Sequence, residues 1–304
     1  MNSVLSRIKT AVVGGDEREL ILLSDLISKG VKVTVTGFPK EKIPNNASYV
    51  STVAEACKNA NVLILPVPGV NADKVIRAVY ASEELILTEQ DISSLAPNAL
   101  IIIGRARPFL REWSEKYHIK LLEIIEMDEV AILNSIPTAE GAIQIAMEET
   151  AITIHNSKIC VVGFGRVGLT LARALKALGA EVIVVTNSSN EEARAFEMGC
   201  HTDNLENLAK ILPNLDICFN TIPHLVLNKM VLQHANRDMV IIDLATEPGG
   251  TDFEAANILG IKAILAPGLP GKVAPISAGK VLVNTIPRLI IKEMSMIDKG
   301  LLLG

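Results

Sequence analysis

Aromatic residues are scarce in this 304-residue chain, 3% of the total, although 49% of it is hydrophobic. The cores must therefore be built from Val, Ile, Leu and Ala, a composition that suits parallel sheets covered by helices on both faces. Cysteine is scarce too. Cys57, Cys160, Cys200 and Cys218 are far apart and form no CxxC pair, which argues against structural zinc and for a reducing cytoplasm; Cys160 and Cys218 fall in apolar runs and read as core. No apolar run is long enough to cross a bilayer, and charges from Arg7 onward interrupt any signal-peptide pattern. Basic excess is also missing: the net charge is −5 and no basic patch stands out, so nucleic acid is not the expected partner. The five histidines, His118, His155, His201, His224 and His234, offer no Arg/Glu/His arrangement of the kind that polarises a carbonyl in 2-hydroxyacid oxidation.

What is present is a short glycine-rich stretch, Gly163-Phe164-Gly165-Arg166-Val167-Gly168. It follows the apolar run Ile159–Val162 and opens onto Leu169–Leu178, where apolar residues recur at helical spacing. A strand, a G-x-G-x-x-G turn and a helix together form the dinucleotide-binding fingerprint. Gly163 permits the tight turn, Gly165 lets the backbone approach a pyrophosphate, and Gly168 lets helix pack against strand. The pyrophosphate is expected on the free N–H groups of the helix N-terminus.

Taken in order, the first half alternates strand and helix: strand 10–13, helix 17–28, strand 31–36, helix 53–58, strand 62–65, helix 72–80, strands 85–87 and 100–103, helix 109–117 and strand 120–124. Its first turn, Gly14-Gly15-Asp16, lacks the third glycine, so this half is expected to be Rossmann-like in shape without being the nucleotide site. Thr138 reads as the N-cap of a linker helix over 139–151. The second half continues with strand 158–162, helix 167–178, strand 181–186, helices 190–198 and 204–211, strand 215–219, helix 227–233, strand 239–244, helix 252–259 and strand 262–265. A last helix over 277–296 is expected to pack back on the first domain. The fold class is α/β: two Rossmann-like doubly wound domains with parallel sheets and a cleft between them. The expected boundaries are 1–135 for the substrate domain, 136–276 for the nucleotide domain and 277–304 for the returning helix.

The end of the second strand in the nucleotide domain bears on cofactor choice. An NAD site usually holds the ribose 2′-OH with Asp or Glu there. Thr186-Asn187-Ser188-Ser189 stands instead, which favours NADP, with NAD as the alternative; Arg194 or Arg166 is placed to supply the missing charge. Asn220-Thr221-Ile222-Pro223 follows a strand, and such a loop passes beside ribose and nicotinamide. Ala245 marks a similar edge. Ser135, Thr138 and Glu140 sit at the expected mouth of the linker helix, whose N–H groups would hold a substrate carboxylate; a plain helix cap is the competing reading. Arg18 is the natural cation at the carboxyl edge of the first domain. Glu140 and His224 are the two candidates for moving a proton.

These segments carry a resemblance. Asn134-Ser-Ile-Pro-Thr-Ala-Glu-Gly141, the glycine turn, Asn220-Thr-Ile-Pro223, Pro248-Gly-Gly-Thr-Asp-Phe253, Ala266-Pro-Gly-Leu-Pro-Gly271 and Val273-Ala-Pro275 occur in this order, and the chain resembles the dipicolinate synthase A-subunit family of spore-forming bacteria nearly end to end. That resemblance implies an oxidoreductase that converts 4-hydroxy-tetrahydrodipicolinate to dipicolinate during sporulation, with loss of water and hydride transfer to NADP. It also implies a partner, the flavoprotein B-subunit of dipicolinate synthase, and the mother-cell cytoplasm as location. A homo-oligomer is expected. Family members can carry Arg-Ser-Ser where this chain has Asn187-Ser188-Ser189. Two other functions fit the same residues: a nucleotide-binding subunit without catalysis that serves the flavoprotein, and another two-domain NAD(P)-dependent dehydrogenase of amino or hydroxy acids.

Overall fold

A computed structural model describes residues 5–301. They divide into two compact units, residues 5–131 with 275–301, and residues 132–274.

The first unit is built on a six-stranded parallel sheet. Its strands are β1 (Lys9–Val13), β2 (Lys32–Thr36), β3 (Ser48–Tyr49), β4 (Val62–Ile64), β7 (Leu100–Ile103) and β8 (Lys120–Glu123), in the order β3-β2-β1-β4-β7-β8. The remaining two, β5 (Val75–Ile76) and β6 (Leu85–Ile86), form a separate antiparallel pair. β1 lies in register with β2 on one side and β4 on the other, so the direction of winding reverses between β1 and β4. The central strands are apolar on both faces because helices cover both. On one side the helix Glu17–Ser28 buries Leu22, Leu23 and Leu26 against Val12, Val33 and Val35. Each such leucine contributes about 1.5–3 kcal/mol on leaving water. The final helix, Pro275–Leu301, adds Leu282, Ile286 and Ile290 to this same core. It returns to the first unit as expected and lies close to the helix Glu17–Ser28: a Cβ on Gly279 would stand 2.8 Å from Ile21 Cδ1.

The second unit repeats the plan. β9 (Lys158–Val162), β10 (Glu181–Val185), β11 (His201–Asp203), β12 (Ile217–Asn220), β13 (Val240–Asp243) and β14 (Lys262–Leu265) pair as β11-β10-β9-β12-β13-β14. The reversal falls between β9 and β12. In open α/β sheets, ligands bind outside the carboxyl ends of the strands at such a switch point. Among the described residues no helix is long and apolar enough to cross a membrane, and no group of three or more His, Cys, Asp or Glu could hold a metal ion.

Three expectations are corrected. Residues 72–80 are not a helix. Lys74 takes a left-handed φ of 66°, and Asn71 Oδ1 accepts from Val75 N at 2.8 Å, closing a turn that leads into β5. Secondly, the linker helix begins at Asp128 and runs to Glu149 through Pro137. Pro137 lacks the N–H that position 133 would accept. The Ser135 and Thr138 hydroxyls bond back to the carbonyls of Ile132 (2.7 Å) and Asn134 (2.8 Å) on either side of that gap. Thr138 is thus interior to the helix and caps nothing. Thirdly, the short edge strands β3 and β11 are additional to the expected elements; two or three residues are too few for a pattern to register.

Candidate active site

The glycine turn lies at the switch point of the second sheet. β9 is buried through Val162, and Gly163 follows with φ 87°, a region closed to most side chains. A Cβ on Gly163 would meet Thr221 Oγ1 at 2.5 Å and Ile222 Cγ1 at 2.8 Å; one on Gly168 would meet Gly163 O at 2.2 Å. Gly165 differs from both, since its Cβ would meet nothing within 4 Å. The two outer glycines are demanded by packing, whereas the middle one faces open space. The helix Arg166–Ala177 begins at Gly165 with no side-chain cap. Its first N–H groups are aimed outward at the positive end of the helix dipole. This is the geometry a pyrophosphate requires. Phe164 contributes only backbone there, because its ring is buried in the core, and Val167 is half-buried.

The corresponding turn in the first unit is closed from within. Asp16 caps the helix Glu17–Ser28, accepting from Arg18 N at 3.0 Å, and Glu19 Oε2 accepts from Asp16 N at 2.8 Å. The segment after β5 lies across the turn. Gly15 N donates to Arg77 O at 2.8 Å, and a Cβ on Gly14 would meet that same oxygen at 2.8 Å. The chain's own carboxylates and backbone fill the place a phosphate would take. The expectation of a free cation at Arg18 is corrected here. Arg18 is 6% exposed, and its Nε and Nη2 donate to the two oxygens of Asp16 at 2.9 and 2.8 Å. Burial opposes charge on Asp16, but the hydrogen bonds and positive charge of Arg18 hold its carboxyl below the usual range. Burial pushes the Glu19 carboxyl up to about 7, against the pull of Arg18.

The loop after β12 meets the glycine turn directly. Thr221 N and Oγ1 both donate to Val162 O at 2.9 Å, which sets Thr221-Ile222-Pro223 beside Gly163. Asn220 had been expected to touch the cofactor, and the structure gives it different work. It is fully buried; its Nδ2 donates to Ile222 O and Asp243 Oδ2, and its Oδ1 accepts from Ile222 N. With both ends occupied, Asn220 shapes the loop. Ala245 is also turned inward, 5% exposed, with its N–H on Asp243 Oδ1 at 3.0 Å. The residue that the sequence reading missed is Asp243. Wholly buried at the end of β13, it accepts from Ala245 N, Asn220 Nδ2, Gly250 N and Thr251 Oγ1. One carboxylate therefore ties the end of β12 to the loop that follows β13.

At the end of β10 the expectation that no carboxylate is present is also corrected. Thr186 is buried and donates its hydroxyl to Glu191, five residues on. Glu191 stands in the first turn of the helix Ser189–Glu197, so the carboxylate missing from the strand is supplied by the helix. Asn187, Ser188 and Ser189 are exposed; Asn187 Oδ1 accepts from Leu205 N at 3.0 Å, and Ser188 is the N-cap. Arg194 pairs with Glu197 at 3.1 Å on the surface.

Comparison with known proteins decides the family. A family model described as the N-terminal domain of the dipicolinate synthase A-subunit matches residues 9–125. Another, the NAD-binding domain of D-isomer specific 2-hydroxyacid dehydrogenases, matches residues 137–247. The dipicolinate synthase A-subunit of Bacillus subtilis is 38% identical over 291 residues, covering 94% of this chain and 97% of its own length. The chain belongs to the dipicolinate synthase A-subunit family. Its fold agrees with crystal structures of that protein from Bacillus halodurans (35% identity, TM-score 0.91, covering 94% of this chain and 98% of that one) and Bacillus subtilis (37%, 0.88, 95% and 97%). The second unit is accordingly a dehydrogenase-type domain for a nicotinamide dinucleotide.

In this member of the dipicolinate synthase family, the remaining expected site residues differ in burial and in the bonds they make. Ser135 is 1% exposed, with Oγ 2.7 Å from Thr170 Oγ1 on the fingerprint helix, so its hydroxyl is spent on packing. No helix N-terminus exists at Thr138 to hold a carboxylate. Glu140 is exposed on the helix Asp128–Glu149, next to Gly141, whose Cβ would meet Val273 and Leu269. His224 is exposed on the loop after Pro223, and neither its side chain nor that of Glu140 makes a hydrogen bond among the described residues. The signal for Asp243 was available, since an acidic residue closing an apolar strand has to be satisfied by something. Its partners lie up to 23 residues away, and no local pattern names them.

Proposed function

We propose that this chain is the NADP-dependent dehydrogenase component of a dipicolinate synthase, converting 4-hydroxy-tetrahydrodipicolinate to dipicolinate. The observation that carries the reading is the contrast between two turns of the same topology. The first is sealed by Asp16, Glu19 and Arg77, while the second is left uncapped, with open space over Gly165. When bound, the nicotinamide dinucleotide supplies the hydride acceptor. Gly163–Gly168 would hold its pyrophosphate, with Arg166 at the start of the helix, and Thr186 to Ser189 would hold the ribose end. Thr221-Ile222-Pro223 would flank the nicotinamide, fixed there by Asn220 and Asp243.

The neutral Asn187-Ser188-Ser189 run can donate hydrogen bonds to a 2′-phosphate, which supports NADP. The overall change balances: the hydroxylated ring loses water, then two electrons and a proton leave as hydride, and a second proton is released. Formation of the aromatic pyridine supplies driving force, so a strong base is unnecessary. Glu140 and His224, both exposed, are the proton acceptors we propose. The flavoprotein B-subunit for a partner, the mother cell as location and a homo-oligomeric state belong to the same proposal.

The test is direct. Purified chain, NADP and enzymatically made hydroxytetrahydrodipicolinate should give NADPH and the pyridine product together. Tight NADPH binding with no product would favour the alternative, a nucleotide-binding subunit whose partner does the chemistry; the lack of a catalytic Arg/Glu/His arrangement is what keeps that alternative in view.

A further inference from the structure

The carboxyl edge of the first sheet carries positive charge that its own carboxylates do not neutralise. Arg18 follows β1, Arg77 follows β5, and Arg105 and Arg107 follow β7. The backbones of these segments are in contact. Arg77 O accepts from Gly15 N at 2.8 Å, a Cβ on Gly69 would stand 2.5 Å from Arg105 O, and one on Gly104 would overlap Val67 O at 1.4 Å. Two of the four arginines are occupied, Arg18 by Asp16 and Arg105 by Glu126 at 2.9 Å. Arg77 and Arg107 are exposed and have neither an ion pair nor a side-chain hydrogen bond among the described residues.

The carboxylates nearby are already committed. Glu19 accepts from Asp16 N and Val67 N. Glu123 takes both Arg111 donors, at 2.9 and 2.8 Å, and also accepts from Ala106 N at 2.8 Å. That last bond fixes the backbone between Arg105 and Arg107, and Ile125 N on Gly104 O fixes it again. The Arg77 segment is pinned just as firmly, because Ala78 bridges Gly15 in parallel fashion and Val79 N donates to Gly15 O at 3.0 Å. Two unpaired guanidinium groups thus stand on rigid backbone at the carboxyl edge of the first sheet, Arg77 beside the turn after β1 and Arg107 beyond β7, the edge at which an open α/β sheet takes its ligand. In a nucleotide-binding domain that ligand would lie on the turn after β1, but here the turn is plugged. The charge that remains suits an anion without a nucleotide's bulk.

We propose that Arg77 and Arg107 form the carboxylate-binding site of this chain and that its ligand is a small ring dicarboxylate, each guanidinium taking one carboxylate through paired N–H donors. This assignment rests on the dipicolinate reading and moves the substrate cation from Arg18 to its two unpaired neighbours. The test is calorimetric titration of the full chain with pyridine-2,6-dicarboxylate and with pyridine-2-carboxylate. Wild type should bind the dicarboxylate at least tenfold more tightly than the monocarboxylate. Arg77→Ala and Arg107→Ala should each weaken dicarboxylate binding tenfold or more, with melting temperature and NADPH affinity unchanged, and Arg107→Lys should recover part of the loss. Arg237→Ala, which removes an exposed arginine from the second unit, should bind as wild type does. Wild-type affinity in both alanine variants would overturn the assignment and leave the functional reading standing. An equal loss in Arg237→Ala would overturn it as a general charge effect. A wild-type chain that binds NADPH but no pyridine dicarboxylate would overturn the assignment together with the functional reading.

Discussion

Replacing Gly165 and Gly168 in turn by alanine separates the ligand's demand from the fold's. The Gly168 Cβ would sit 2.2 Å from Gly163 O and 3.0 Å from Gly163 C. Ordinary contact needs more than 3.4 Å, so the helix Arg166–Ala177 must move off the turn by about 1 Å, and overpacking of this kind costs about 1–3 kcal/mol. The Gly165 Cβ would meet nothing within 4 Å, and the residue has φ −69°, open to any side chain. The only structural cost there is the poorer N-cap preference of alanine, about 0.5–1 kcal/mol. The new methyl would, however, stand where a pyrophosphate has to approach. Losing one or two charge-assisted hydrogen bonds, each worth about 1.5–3 kcal/mol, corresponds to about a tenfold to ten-thousandfold loss of affinity. Thermal melts and NADPH titrations on both variants check this. Gly168→Ala should lower the melting temperature clearly, while Gly165→Ala should leave it nearly unchanged and lose nucleotide binding. A Gly165→Ala chain that binds NADPH as wild type does would refute the placement of the pyrophosphate.

Three further outcomes are expected. Asn187→Arg should raise affinity for NADP relative to NAD if this turn meets the 2′-phosphate, and an unchanged ratio of the two dissociation constants would remove that contact. Asp243→Ala strips four donors of their buried acceptor and should destabilise the second unit by about 3–5 kcal/mol; a melt within a degree or two of wild type would contradict its role as the tie between β12 and the loop after β13. The Glu19 carboxyl is raised by burial to about 7 from an ordinary 4.5, so the folded chain holds this proton more tightly than the unfolded one. The stability this contributes is complete below the unfolded value and is lost as pH rises through 7, by up to about 3 kcal/mol. Denaturant melts of the wild type should weaken from pH 5 to 8, and Glu19→Gln should flatten the trend; a flat wild-type profile would refute it.

Much of this fold is legible because its strands are buried on both faces. A parallel strand covered by helices becomes a short apolar run, and β1, β4, β7, β9, β12 and β13 all stand out in that way. The glycine turn is legible for a related reason, since backbone contact leaves only one residue type able to fill Gly163 and Gly168. What stays hidden depends on partners chosen in three dimensions. Arg18 reads as a free cation until Asp16, two residues before it, folds back on its guanidinium, although the Asp16-x-x-Glu19 spacing is a recognised cap signal. Glu191 supplies a carboxylate to Thr186 from the next helix, where a reading confined to the strand end does not look. Thr138 reads as a helix start beside Pro137, yet the helix runs through both from Asp128, with the Ser135 and Thr138 hydroxyls bonded to the carbonyls of Ile132 and Asn134. Residues 72–80 carry apolar spacing compatible with a helix, and the left-handed Lys74 and the Asn71 turn decide otherwise.

The measurement that tests the central claim most directly follows the hydride. Substrate carrying deuterium on its ring carbons would be incubated with the purified chain and NADP through a single turnover, and the reduced nucleotide weighed by mass spectrometry. The account predicts one deuterium in each NADPH formed, in step with one pyridine dicarboxylate. Pyridine product accompanied by unlabelled or unreduced nucleotide would contradict it, because the hydride would then have left by a route that this chain's glycine turn does not serve.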